Sequence, residues 1–213
     1  MPKAIGYNEL VAMLRGAVAQ VQANKETLSK LDSVGGDGDH GITMARAMGL
    51  VEKAIADCKK KDLKSLLGDI GWAVMGVDGG ATGPLFGTFF LGMADAVADK
   101  KPVNVNGLAV LFEAGLAALQ KTTKAQVGDK TMMDALVPAV AALRTAADAG
   151  RPILTAVALA AVAAEQGALS TCNFPAKFGR ARNIGDRTIG HQDPGATSAA
   201  LIFKGFAEAM ASP

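Results

Sequence analysis

"LDSVGGDGDHGITMARAMGLVEKAIADC", residues 31–58, sets an acidic, glycine-rich loop directly against a regular apolar pattern. Met44, Met48, Val51, Ile55 and Cys58 recur at steps of four and three, the spacing that places side chains on one face of an α-helix. The pattern predicts a helix over 41–61 and puts Cys58 on its buried face, as a core side chain and not a reactive thiol. Just ahead of it, Asp32, Asp37 and Asp39 share a short span with Gly35, Gly36, Gly38 and Gly41. So much negative charge on so flexible a backbone, at the mouth of a helix, calls for a chemical reason.

The same periodicity continues along the chain and strand alternation is almost absent. It predicts helices over 8–34 (with a break at Asn24), 62–77 (Leu63, Leu66, Leu67, Ile70, Val74), 84–99, 106–123, 131–149, 152–170 and 194–211. Eight helices make an all-α domain, and alanine-rich faces such as AVALAAVAA (156–164) let them approach closely around a shared centre. With 213 residues, half of them apolar, the chain can bury a full core, and residues 1–213 read as a single domain. Basic and acidic side chains nearly balance at a formal +2, and apart from Lys59, Lys60, Lys61 and Lys64 the cations are scattered. That distribution argues against nucleic acid. The N-terminal MPKAIGYNELVAML lacks the apolar core of a signal peptide. The run 153–164, interrupted by Thr155, is too short and alanine-rich to span a bilayer. The expectation is a cytoplasmic protein without a membrane segment. Cys58 and Cys172 share no spacing of a metal or disulfide motif.

Short links between consecutive helices favour antiparallel neighbours, so the loops alternate between two ends. GGDGDHG (35–41), VDGGATGP (77–84), AQVGDKT (125–131) and the long segment 171–195 fall on one end. The plain connections KKKD, ADKKPVNVN and DAGRP fall on the other. Every glycine- and aspartate-rich loop therefore leads into a helix N-terminus at the same end, where free N–H groups and helix dipoles favour an anion such as phosphate. Aspartates would repel that phosphate unless a metal intervened. Asp32, Asp37 and Asp39 are hard oxygen donors of the kind that hold Mg²⁺ together with substrate phosphates. A triphosphate carries about four negative charges, so beside three carboxylates it asks for one or two divalent ions with help from cationic side chains.

Three familiar motifs fail here. Gly36, Gly38 and Gly41 satisfy GxGxxG, but a helix precedes them and two aspartates lie inside the fingerprint. An EF-hand counted from Asp37 places Ile42 where glycine must stand and Met48 where a bidentate glutamate is required. In GDKT, Asp129 separates glycine from lysine, unlike a P-loop.

GDGDHG, GGATGPLFGTFF, GDKTMMDALVPA and GHQDPGATS, in this order and spacing, resemble the nucleotide-binding L subunit, or L domain, of dihydroxyacetone kinase. The similarity runs from about Asp32 to the C-terminus. The resemblance implies an eight-helix antiparallel up-down barrel with ADP or ATP and two Mg²⁺ at one end. It implies Asp32, Asp37 and Asp39 as metal ligands. It implies nucleotide contacts from His40, Gly41, Ile42, Thr43, Ala81, Thr82, Gly128, Arg180, Asp193, Pro194 and Gly195, with Val137 near the base. Thr43 and Thr82 stand where Asn and Ser are frequent, and Arg182 and Asn183 stand where Ser and Tyr are often seen, at the partner-facing rim.

The implied reaction moves a phosphoryl group to dihydroxyacetone or a related short ketose, chemistry that rests on alignment and charge neutralisation. Arg180 and Lys130 are the candidates to offset charge developing in the transition state; for Lys130 the alternative is an i+4 salt bridge with Asp134. His40 reads as a ligand contact or as a cap, and His191 as a ligand contact or as a brace of the HQDPG turn. In the family the ketose is bound covalently to a histidine of a separate K-type subunit, which this sequence does not contain. Three roles follow from the resemblance: an ATP-exchanging kinase subunit, a subunit whose held ADP is rephosphorylated by a phosphohistidine donor protein of the phosphoenolpyruvate system, or a non-catalytic partner of a transcription regulator.

Overall fold

The computed structural model describes residues 3–99 and 101–211, and among them every named element is helical. In chain order the helices are α1 (Tyr7–Ala23), α2 (Lys25–Asp32), α3 (His40–Asp57), α4 (Leu63–Met75), α5 (Thr82–Asp95), α6 (Val105–Thr122), α7 (Met133–Asp148), α8 (Ile153–Ser170) and α9 (Pro194–Ala211). Short 3₁₀ segments at Thr171–Asn173 and Arg180–Thr188 punctuate the connection between α8 and α9. The first expected helix is two, because Asn24 leaves helical geometry and turns its side-chain amide back onto the Gln20 carbonyl at 2.8 Å.

Eight of the nine form a closed ring. Each of α3 to α8 packs on the next, α9 packs along α1 and α1 returns to α3, while α2 lies outside against α3 and α9. Closure depends on one close approach. A Cβ on Gly205 would meet the backbone of Gly16 and Ala17, and a Cβ on Gly16 would lie 2.9 Å from that of Ala209. The centre is filled by an aromatic chain from three helices: Phe89, Phe112, Phe203 and Phe206 stand with centroids 5.4–6.1 Å apart, mostly edge to face. Such pairs contribute about 0.5–1.5 kcal/mol each beyond simple burial. Pro138 sits within α7, where its missing N–H frees the Asp134 carbonyl, and Gly167 of α8 packs against that carbonyl.

α8 is longer than the 153–164 run suggests. Ile153–Asn173 is apolar and long enough to cross a membrane by length and composition alone, and a third of its most apolar window is buried. In the fold α8 is a stave between α7 and α9, with Leu159, Val162 and Leu169 on its exposed side.

The two ends of the ring differ in chemistry. At one end Ile5 pairs with Val103 in an antiparallel bridge, N to O at 2.8 and 2.9 Å. There three helix starts carry side-chain caps, Asp62 accepting from Ser65 N at 2.8 Å, Asn104 from Gly107 N at 2.9 Å and Glu9 from Gly6 N at 2.9 Å, while α8 follows Pro152 without one. At the other end α3 and α5 begin at Asp39 and Ala81 without any side-chain cap. The His40 N–H at the head of α3 goes to Asp32 Oδ2 at 3.3 Å, and the other N–H groups of these two first turns are left to an external acceptor.

Candidate polyphosphate and metal site

The glycine-bearing loops do share one rim. His40, the first residue of α3, stands with Nε2 3.2 Å from Ser198 Oγ on α9 and Nδ1 3.5 Å from Thr82 Oγ1 on α5. Lys177 reaches Asp129 Oδ1 at 2.8 Å, joining the 171–193 connection to the loop before α7. A Cβ on Gly35 would lie 2.8 Å from that of Ala181, so the acidic loop abuts the same connection. Between them lies a cavity of about 270 Å³, walled by Asp32, Asp37, Asp39, His40, Ala81, Thr82, Lys130, Arg180 and Pro194, among others.

The acidic cluster is built locally. α2 ends at Asp32, whose carbonyl accepts from Gly36 N at 2.6 Å and Gly35 N at 3.1 Å, folding the chain back on itself. Gly38 then takes φ +78, where a Cβ would also crowd Ser33 Oγ at 2.8 Å. The turn brings one oxygen each of Asp32, Asp37 and Asp39 within 4.8 Å of one another, while Asp32 Oδ2 accepts from His40 N at 3.3 Å. Two unit charges at that distance repel by about 0.9 kcal/mol in water and about 3.5 kcal/mol at an effective dielectric of 20. Arg180 forms an ion pair with Asp37, so two of the three negative charges stay uncompensated by an ion pair among the described residues. Three hard oxygens held together and still net negative fit a divalent cation such as Mg²⁺.

Titration behaviour follows from burial. Desolvation pushes the His40 imidazole below its ordinary value, against the opposing pull of Asp32 and the Pro194 backbone, so the ring is neutral at pH 7. Asp193 caps α9, its Oδ2 accepting from Ala196 N at 2.7 Å, and burial lifts its carboxyl to about 7 in spite of that bond. Desolvation lowers the Lys130 ammonium, with Asp193, Cys172 and Asp134 working in the opposite sense.

Lys130 is not the i+4 partner of Asp134. It precedes α7, takes φ +60, is only 4% exposed, and its Nζ donates to the carbonyls of Thr171 and His191. Asp134 is occupied elsewhere, accepting from Gly128 N at 2.6 Å and Thr131 N at 2.8 Å. A non-glycine residue at positive φ costs on the order of 1–3 kcal/mol and persists where surroundings over-determine it.

Gly41, Ile42, Thr43, Gly128, Val137 and Gly195 are not among the residues that line the cavity. Gly41 is buried under α2, where a Cβ would run into the Lys25 carbonyl; Thr43 is buried beneath Gly79; Ile42 is on the exposed side of α3. Gly128 spends its N–H on Asp134, and Gly195 sits between Asp193 and the start of α7. Val137 is half-buried against the core, and the apolar wall comes instead from Leu31, Val34 and Ala181. Three helix starts, those of α3, α5 and α9, thus line the cavity; α7 contributes through the loop that carries Lys130. His191 lines the wall as well, and its carbonyl is tied to Lys130. Ser198 and Thr188 were missed as candidates. Ser198 closes the GHQDPGATS stretch, so its position was legible, but its pairing with His40 spans the whole ring.

The all-helical ring thus sets a carboxylate trio beside the starts of α3 and α5, an arrangement whose chemistry fits a divalent cation together with an anion. The DAK2 domain model matches residues 34–208, and the chain belongs to that family. It is 41% identical over 184 residues to the ADP-binding subunit DhaL of PEP-dependent dihydroxyacetone kinase 1 from Listeria innocua, covering 86% of this chain and 87% of the relative. To the corresponding DhaL subunit from Escherichia coli K12 it is 38% identical over 179 residues, covering 84% and 85%. The crystal structure of the dihydroxyacetone kinase of C. freundii in complex with AMP-PNP and Mg²⁺ superposes with a TM-score of 0.72 at 30% identity. That match covers 93% of this chain and 33% of the kinase, so the chain spans about a third of that protein.

Proposed function

We propose that this chain is the ADP-binding subunit of a phosphoenolpyruvate-dependent dihydroxyacetone kinase. The observation that carries the reading is the carboxylate trio facing the uncapped starts of α3 and α5 across one cavity. The relatives of matching length bear that description at 38–41% identity, whereas the longer C. freundii kinase stands at 30%.

In this reading Asp32, Asp37 and Asp39 hold Mg²⁺, two ions with a full triphosphate in place. When bound, Mg²⁺ supplies charge neutralisation on the phosphate oxygens. The backbone N–H groups at the starts of α3 and α5 receive phosphate oxygens, Thr82 adds a hydroxyl, and Arg180 places a guanidinium beside the transferring group. Neutral His40 fixes the three helix starts relative to one another through Ser198 and Thr82. A phosphohistidine donor passes its phosphoryl group to the β-phosphate of ADP. The resulting γ-phosphoryl group passes to a hydroxyl of dihydroxyacetone or a similar ketose held on a K-type subunit, and ADP stays in place. The hydroxyl proton leaves to a basic group of the K-type subunit that holds the ketose.

The test mixes the chain with a K-type subunit, dihydroxyacetone and Mg²⁺, supplied with ATP alone or with ADP and the phosphohistidine relay proteins. Sustained turnover only with the relay is expected. Sustained turnover on ATP alone would replace this reading with the ATP-exchanging one, and nucleotide binding without phosphotransfer would leave the non-catalytic role beside a transcription regulator.

A further inference from the structure

We infer that Lys130 is a positioning residue: its ammonium staples the neck of the 171–191 loop and thereby sets where Arg180 stands. The two carbonyls it binds, of Thr171 and His191, are the two ends of that loop. They are 41 and 61 residues away from Lys130 in the chain. Two further bonds close the same neck, Gly190 N to Cys172 O at 2.8 Å and Asp193 N to Thr171 Oγ1 at 2.8 Å. The loop therefore has its two ends held together and its body packed on itself. Inside it, Ala176 N donates to Thr188 Oγ1 at 2.9 Å and Thr188 Oγ1 donates to Gly185 O at 2.8 Å.

An ammonium has three N–H donors and no acceptor, and here two of the three are committed to the neck. A side chain used that way acts through the loop. The loop in turn carries Arg180 to Asp37 of the acidic cluster and Lys177 to Asp129. The unusual backbone of Lys130 fits the same role. Asp134 holds the Gly128 and Thr131 amides on either side of it, so the loop before α7 is shaped to aim this one side chain inward. Burial lowers the Lys130 ammonium and is only partly offset by Asp193, Cys172 and Asp134, and the neck bonds lie in a low-dielectric setting where they are strongest.

The consequence for nucleotide binding rests on the function proposed above; the neck itself does not. The first readout therefore uses no nucleotide. Lys177, Arg180, Arg182 and Arg187 are exposed tryptic sites within the loop, and cleavage there tracks the population of the open loop. Lys130→Met keeps an unbranched chain and removes the donors; loop nicking is expected to accelerate about tenfold or more while helical content is retained. Thr171→Val removes the Asp193 N–H acceptor without altering Lys130 and is expected to accelerate nicking to a smaller extent. Should Lys130→Met fail to fold, Lys130→Gln decides in its place: its shorter amide does not span both carbonyls, so faster nicking is expected, and wild-type cleavage in it overturns the staple. The second readout is a double-mutant cycle on Mg-ADP affinity. Arg180→Gln weakens binding in the wild type and adds little in the Lys130→Met background, because Arg180 is already displaced. Unchanged loop cleavage in folded Lys130→Met, or additive losses in the cycle, would make Lys130 a direct ligand contact and overturn the inference. If neither protein bound Mg-ADP at all, the proposed function would fall and the cleavage result would still stand.

Discussion

Asp37→Asn separates the metal role of the acidic cluster from any role in folding. Without metal, two effects oppose each other. The substitution removes an exposed ion pair with Arg180, worth about 0.2–1 kcal/mol. It also relieves repulsion from Asp32 and Asp39 at up to 4.8 Å, about 0.9 kcal/mol per pair in water before salt screening. The net change in stability is therefore within about 1 kcal/mol, or less than about 4 °C in Tm for a domain of this size. With metal the balance is one-sided. A divalent ion about 2.1 Å from one carboxylate oxygen gains about 4 kcal/mol even at the dielectric of water. Its loss corresponds to about a thousandfold in affinity. The assay is thermal unfolding with and without Mg-ADP at about 100 times the wild-type Kd. The wild type gains about 2.7 kcal/mol, a rise of roughly 5–10 °C, and the variant gains almost nothing at the same concentration. An Asp37→Asn protein that keeps the full Mg²⁺-dependent rise would refute the assignment of the trio as the metal site.

Two further outcomes follow from buried groups. Asp193 retains its proton in the folded state to about pH 7 because of desolvation, while the unfolded carboxyl ionises near its ordinary 3.8. The folded state thus binds more protons across that window, so this group lowers stability as pH rises through it and adds no further slope above it. Asn retains the cap on Ala196 without the titration, so Asp193→Asn should gain stability relative to wild type between pH 4 and about 7 in chemical denaturation without nucleotide, and a constant difference would contradict the assigned burial. Gly205→Ala drives a methyl group into the backbone of Gly16 and Ala17 where α1 and α9 cross. Overpacking of about 1–3 kcal/mol outweighs the ~1 kcal/mol gain in helix propensity, and an unchanged or raised Tm would show that the ring closes less tightly there.

Much of this was legible in the residues themselves because a helix reports its buried face locally. The stripe Met44, Met48, Val51, Ile55 turns inward as its spacing requires, and Cys58, one residue past the end of α3, is buried with it. The alternation of loop chemistry also translated directly, because antiparallel neighbours leave consecutive connections no choice of end. Boundaries moved where local sterics allowed. α5 begins at Thr82 rather than 84 because Pro84 in the first turn forfeits no hydrogen bond.

The sequence by itself determined the helical staves, the single glycine- and aspartate-rich rim, and the trio Asp32, Asp37, Asp39, whose geometry is set within eight residues by one turn. Only the tertiary structure decided that α2 stands outside the ring, that Gly41 and Thr43 are buried and Val137 half-buried, and that His40 answers to Ser198. It also decided that Lys130 binds two carbonyls of a distant loop and not the neighbouring Asp134. The reason is physical: periodicity and turn chemistry act between near neighbours, while a donor 41 or 61 residues from its acceptor meets it only after the ring has closed.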